Sequence, residues 1–312
     1  PLRGMDEAAF RAIAALRSGM HVIFTGPPGT GKTQLAKRLC DAAKIRSWVV
    51  AATDQWTTVD TIGGYFPDVS GQLDFLPGFV TASMSQRRVL IIDEVNRADI
   101  DKAFGELFTL LSGNSVDLPY LRRNLTGGKP ETRRVRLSVS ASGSDPEIDE
   151  IHMPSWWRLI GSMNDADKAS LKRLSFAFVR RFAFVPVGVP EPKLYGDLID
   201  SGAAGVASAR PDFVEALKEL FADPKGLASI EMGMGYAIPE AMLRHARSEL
   251  AMDAGRTTPE LLLSGLDLYV APQFQGRADR HEDLLKLVLS RLSEDGRKEF
   301  GSRLAVWTGF LA

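Results

Sequence analysis

The octapeptide GPPGTGKT, Gly26–Thr33, constrains this chain more than any other stretch. Three glycines and two prolines in eight residues exclude both a helix interior and a central strand. Apolar HVIFT (21–25) precedes it and the helix-like QLAKRLCDAAK follows it. A buried strand must therefore stop, turn sharply on glycines and start a helix.

Gly26, Gly31, Lys32 and Thr33 fill the spacing G-x-x-x-x-G-K-[ST]. Glycines let the backbone curl so that several N–H groups converge on one point. The helix that follows turns its positive dipole end to the same place. Such a turn cradles phosphate. Lys32 is expected to reach the β- and γ-phosphates of a nucleoside triphosphate, and the Thr33 hydroxyl to ligate Mg2+. The residues assigned to the nucleotide are Gly26, Pro27, Pro28, Gly29, Thr30, Gly31, Lys32, Thr33 and Gln34, with Asp93.

Asp93 and Glu94 close the apolar run VLIIDE. In an open α/β sheet, the carboxyl end of a buried strand faces the ligand crevice. Asp93 is the expected second holder of Mg2+, and Glu94 the group that orients and polarises the attacking water.

Further strands are expected in SWVVAA (47–52), WRLIGSMN (157–164) and FAFVPV (182–187), with helices between them. Short apolar strands alternating with helices predict an α/β fold with a parallel sheet covered on both faces. DKAFGELFTLLSG reads as one helix stopped by Gly113. The Gly-, Pro- and aromatic-rich segment 61–80 reads as a loop carrying a hairpin. Residues 114–150 read as an irregular insert with strand-like RRVRLSVS inside it. After PVGVPEP the strand signal is lost, and stripes such as DFVEALKELF, PEAMLRHARSEL and HEDLLKLVLSRL indicate helices. The expected division is a nucleotide-binding core at 1–187, with hairpin inserts near 61–80 and 114–150, and an α-helical lid at 188–312.

The formal net charge is −1, so no bulk positive field points to nucleic acid. The basic run Arg122, Arg123, Lys129, Arg133, Arg134 and Arg136 is read as a solvated face that the following acidic SDPEIDE neutralises, with contact to a polyanion or partner as the alternative. Cys40 is the single cysteine, which rules out an internal disulfide and suits a reducing cytoplasm. No apolar run reaches the length of a membrane span, and PLRGMDEAAF lacks the apolar centre of a signal peptide. No membrane partner is expected.

GPPGTGKT, IIDEVNRADIDKAFGELFTLL (91–111) and IGSMNDADKASLKRLSFAFVRRFAF (160–184) together resemble the AAA+ ATPases. The likeness is to the branch holding the MoxR-type proteins, the dynein-related and midasin-like modules and the McrB family of restriction GTPase subunits. It extends over about 20–187 and is closest to the McrB-like signatures. The resemblance implies a P-loop AAA+ core with a helical lid, working as a homo-oligomer, in this family a hexameric ring. It implies that Asn164 is the sensor that orients the lytic water or touches the γ-phosphate. It implies that Arg180 and Arg181 supply an arginine finger to the neighbouring subunit, with the choice between them open. The family reads MNTADR where this chain has MNDADK, so Asp165 and Lys168 depart from it. The place of the arginine that the lid often supplies is taken by Glu240; Arg244, one turn on, is read as a solvated helical residue, with the alternative that it substitutes.

By the same resemblance the hairpin aromatics Tyr65, Phe66 and Phe75 line a channel, against the alternative that they pack on their own domain. Trp156 and Trp157 are read as packing residues. The implied activity is ATP or GTP hydrolysis with Mg2+ that moves or remodels a partner. The first reading is the motor of a McrB-like defence complex with a nuclease, touching DNA only indirectly. The alternatives are a MoxR-like chaperone, a nucleotide-dependent switch with little turnover, and a P-loop kinase.

Overall fold

The computed structural model describes residues 3–126, 129–140, 145–164 and 176–310. His21–Gly26 forms the first strand, β1, and its side chains are buried almost throughout. The helix α1, Asp6–Arg17, precedes it and α2, Lys32–Ala42, follows it. The remaining strands are β2 (Ser47–Ala51), β3 (Gly63–Pro67), β4 (Leu73–Pro77), β5 (Val89–Asp93), β6 (Val116–Thr126), β7 (Lys129–Ser138), β8 (Ile148–His152), β9 (Leu159–Asn164) and β10 (Phe182–Pro186).

Five of them form one parallel sheet in the order β10-β1-β9-β5-β2. Leu90, Ile91 and Ile92 on β5 and Val22, Ile23 and Phe24 on β1 are fully buried, as strands covered on both faces must be. α1 packs on β1 and β10, and α2 on β1, β9 and β5. The register aligns Gly26 with Asn164 and Ala51 with Asp93, so the carboxyl ends of β1, β9 and β5 finish along one edge. This is the P-loop AAA+ fold, with a helical region following it.

Two local features differ from the sequence reading. DKAFGELFTLLSG is not one helix: it splits into Ile100–Phe104 and Leu107–Leu111 at Gly105, which has φ +23°. A Cβ at Gly105 would lie 2.9 Å from the Thr58 methyl, so the break permits a close approach that only glycine tolerates. The described residues of the insert 114–150 form a three-stranded sheet where an irregular insert was expected. β6 pairs antiparallel with β7, and β8, drawn from the acidic stretch, adds to β7 in parallel. The 61–80 segment does carry a hairpin, β3 with β4. Its Phe75 is buried and stacks 5.1 Å from Tyr120, so this aromatic packs on its own fold. Tyr65 and Phe66 stay partly exposed, and the Tyr65 hydroxyl accepts a hydrogen bond from the Leu121 N–H at 2.8 Å.

Trp157 is fully buried and its indole N–H donates to Ser83 at 3.1 Å, which makes it a packing residue. Among the described residues, three of the six cations of the basic run are shown paired with acids. Arg122 pairs with Asp149 at 2.7 Å, Arg136 with Asp117, and Arg133 with Glu131 at 3.0 Å.

Contacts divide the chain into two compact units. One comprises Met5–Gly26 with Lys32–Val187, and the other comprises Pro27–Gly31 with the residues from Gly188 onward. The second is built from helices Pro192–Gly202, Pro211–Phe221, Ala237–Met252, Thr258–Gly265, His281–Val288 and Glu294–Thr308 around Phe213, Leu217, Leu243, Phe274 and Phe300. Prolines open the first two of these helices, where their missing N–H costs nothing.

Candidate functional site

The glycine turn leaves β1 at Gly26, which has φ +146° and where a Cβ would collide with the Val187 carbonyl, so the position requires glycine. Gly29 and Gly31 also take positive φ, at +75° and +83°. Lys32 begins α2 and is buried despite its charge. Its ammonium donates to the Gly26 carbonyl at 2.8 Å and to the Asn164 side-chain oxygen at 2.9 Å. Asn164 is thus tied to the phosphate-turn lysine by an uncharged acceptor that adds no negative charge beside the carboxylates.

Thr33 donates from its hydroxyl to Asp93 at 2.7 Å. Hydroxyl and carboxylate oxygens are the hard donors that suit Mg2+, which takes few protein ligands and completes its shell with phosphate and water. Glu94 follows Asp93 in the left-handed conformation, φ 52°, ψ 48°, a strained backbone for a residue with a side chain. Its carboxylate accepts from Arg97 at 2.9 Å in a half-exposed pair.

Two residues here were missed in the sequence. Ser162, on β9, is buried; its hydroxyl donates to Asp93 and accepts the Glu94 N–H at 3.3 Å. It is two positions before Asn164, so alternation put it on the same side of the strand, a signal that was available. Arg97 lies one turn past Glu94 and carried no motif of its own beyond the run VNRAD.

The structure brings Gly26, Lys32, Thr33, Asp93, Glu94 and Asn164 to one edge of the sheet. Gln34 is exposed on α2. Arg180 and Arg181 are not part of this group. The Arg181 carbonyl accepts from the His21 N–H at 3.3 Å, which sets both arginines at the opposite end of β1. A strand of six residues separates the two ends by roughly 17 Å. Arg181 is itself engaged: it donates to the Phe108 carbonyl at 2.9 Å and to Ser112, and lies 5.6 Å over the Phe108 ring. Burial, and then the charge of Arg180, lower its pKa. Arg180 is exposed. Arg244 is exposed on Ala237–Met252. Asp165–Lys168 lie outside the described residues.

The profile of the AAA domain, dynein-related subfamily, matches residues 21–182, over half of the chain. This chain belongs to the dynein-related AAA family. It is therefore a AAA+ domain. It is 29% identical over 210 residues to the EcoKMcrB subunit of the type IV methyl-directed restriction enzyme of Escherichia coli K12, covering 63% of this chain and 40% of the relative. It is 28% identical over 160 residues to the sliding-clamp-loader large subunit of Escherichia phage RB69, covering 49% of this chain and 45% of that one. The chain thus spans less than half of either relative. Among solved structures, NtrX from Brucella abortus with ATP aligns over 98% of this chain and 68% of its own, at 15% identity and TM-score 0.46.

Proposed function

We propose that this AAA+ domain hydrolyses ATP or GTP with Mg2+ in a homo-oligomeric, hexameric ring, as the motor of a McrB-like defence complex that works with a nuclease. The observation that carries the catalytic part is the convergence of Lys32, Asn164, Thr33 and Asp93 through direct hydrogen bonds. Gly26–Gln34 holds the triphosphate, with Lys32 on the β- and γ-phosphates. Thr33 and Asp93 hold Mg2+, which supplies charge neutralisation at the phosphates when bound. Glu94 orients the lytic water, and Asn164 reports the γ-phosphate to it. Ser162 fixes Asp93 and Glu94 relative to each other.

Arg180 is the finger that acts on the neighbour's nucleotide. Three observations support this choice: both arginines lie across the sheet from their own phosphate turn, Arg180 is exposed, and Arg181 is tied to Phe108 and Ser112. Such a finger typically contributes about 10³–10⁵ in rate.

The restriction role is supported by the likeness to the restriction-enzyme subunit. DNA contact is read as indirect, a reading supported by three of the six cations of the basic run being paired with acids. That pairing also favours a protein as the directly handled partner, as in a MoxR-like remodeller, which is the second reading. Among the described residues no helix is long and apolar enough to cross a membrane, which fits the cytoplasmic placement proposed here. The 1–187 and 188–312 segments act as core and lid.

Phosphate release by the wild type and Glu94→Gln tests turnover. Equal rates would leave a nucleotide-dependent switch instead. Parallel assays with ATP and GTP assign the base, and co-purification with a nuclease separates the two partner readings.

A further inference from the structure

The phosphate turn is gripped by backbone from the helical unit to which its central residues belong. The Gly235 N–H donates to the Pro28 carbonyl at 2.9 Å and the Ala237 N–H to the Gly29 carbonyl at 3.2 Å. In a trans peptide the C=O and N–H point in opposite directions, and no peptide among the described residues is cis. Holding the Pro28 carbonyl therefore sets the Gly29 N–H, and holding the Gly29 carbonyl sets the Thr30 N–H. Both donors are turned away from residues 235–237. A glycine-rich turn encircles an anion with such N–H groups.

Gly235 leaves no room for a side chain. A Cβ there would fall within the Gly29–Thr30 peptide, although Gly235 is not among the positive-φ residues. Space rather than backbone conformation demands glycine. One residue earlier, the Met234 carbonyl accepts from the hydroxyl of buried Tyr195 at 2.7 Å. Burial raises the Tyr195 pKa, which keeps the phenol protonated and donating.

We propose that Tyr195, Met234 and Gly235 form a strap that sets the phosphate-turn donors before nucleotide arrives, making Tyr195 and Gly235 positioning residues for triphosphate binding. The strap rests on the reading of Gly26–Thr33 as the triphosphate site. It acts on binding rather than on the chemical step, because preorganised donors reduce the ordering cost of association.

The test is equilibrium titration with fluorescent ATP and GTP analogues, alongside steady-state kinetics, for the full chain. The variants are Gly235→Ala, Tyr195→Phe, Gly233→Ala and Lys32→Ala, with helical signal and Tm measured for each. Gly235→Ala is expected to weaken binding by about thirtyfold or more, and Tyr195→Phe to raise Kd and KM by about three- to tenfold with kcat within about twofold. Gly233→Ala should bind as the wild type, since its Cβ would meet nothing nearer than the Val189 methyl at 3.6 Å. Wild-type affinity in Gly235→Ala overturns the strap. If that variant loses helical signal, wild-type Kd and KM in Tyr195→Phe overturn it. A fall in kcat alone, at unchanged KM, also contradicts it. Failure of the wild type to bind, or binding by Lys32→Ala equal to the wild type, removes the triphosphate reading and the strap with it.

Discussion

Ser162→Ala removes one hydroxyl from the centre of the site without changing its charge. That hydroxyl donates to Asp93 and accepts the Glu94 N–H, and it is buried. A hydrogen bond to a charged group contributes about 1.5–3 kcal/mol, and the orphaned N–H adds to the loss. Asp93 keeps its bond from Thr33, so the loss is partial. A destabilisation of about 2 kcal/mol is expected, read as a fall of roughly 4–8 °C in Tm. The functional loss should be separable from this. Asp93 and Glu94 lose their common anchor, so kcat should fall by about tenfold, equivalent to about 1.4 kcal/mol of lost alignment, while KM changes little. The Mg2+ concentration for half-maximal turnover should rise. Thermal melts and a Mg2+ titration of phosphate release measure both. A lower Tm with wild-type kcat and Mg2+ dependence would refute the positioning role and leave Ser162 as a core residue only.

Three further outcomes follow from the same contacts. Arg97→Ala breaks a half-exposed ion pair with Glu94, so stability should move by less than about 0.5 kcal/mol; basal turnover should rise as Glu94 is released, and a large fall in phosphate release would mean that Arg97 itself takes part in the reaction. Arg180→Ala should reduce turnover by about 10³ or more at unchanged Tm, whereas Arg181→Ala should lower Tm through loss of its Phe108 and Ser112 contacts; the reverse pattern would exchange the two roles. His21 is held neutral, its pKa pushed down to about 3 by burial and then by the charge of Arg158. The unfolded chain takes up that proton near pH 6.5, so stability is full above 6.5 and falls as pH drops toward about 3. The loss at pH 5 is about 2 kcal/mol, and urea unfolding of the wild type and His21→Gln at pH 7 and 5 should show it only in the wild type.

The phosphate turn, the carboxylate pair and the sensor amide were legible because each combines a local residue pattern with an apolar strand that ends there. Strand order then did the rest: β9 lies between β1 and β5, which brings Asn164 to Lys32. Ser162 was legible only as a neighbour of Asn164 on the same side of its strand; its bonds to Asp93 and Glu94 were not, because those partners lie 69 and 68 positions away and meet it only through that order. The same holds for Gly235, whose need to be glycine comes from a backbone two hundred residues distant in the chain rather than from its own conformation. The broken helix at Gly105 was hidden because glycine inside an apolar periodicity is tolerated locally, and the Thr58 methyl that a Cβ there would meet is distant in the chain. β8 was hidden because IDEIH reads as an acidic surface stretch, and β7 recruits it as an edge strand.

The most direct test of a pocket completed by a neighbour is to mix two inactive variants. Lys32→Ala lacks the phosphate lysine, and Arg180→Ala lacks the donated cation. Each alone should be silent in phosphate release. Co-assembled at equal amounts in a head-to-tail ring, roughly a quarter of the interfaces would pair an intact cradle with an intact finger, and turnover should reappear to about that extent. No recovery at any mixing ratio, in complexes shown by sedimentation to contain both variants, would contradict an active site shared between subunits.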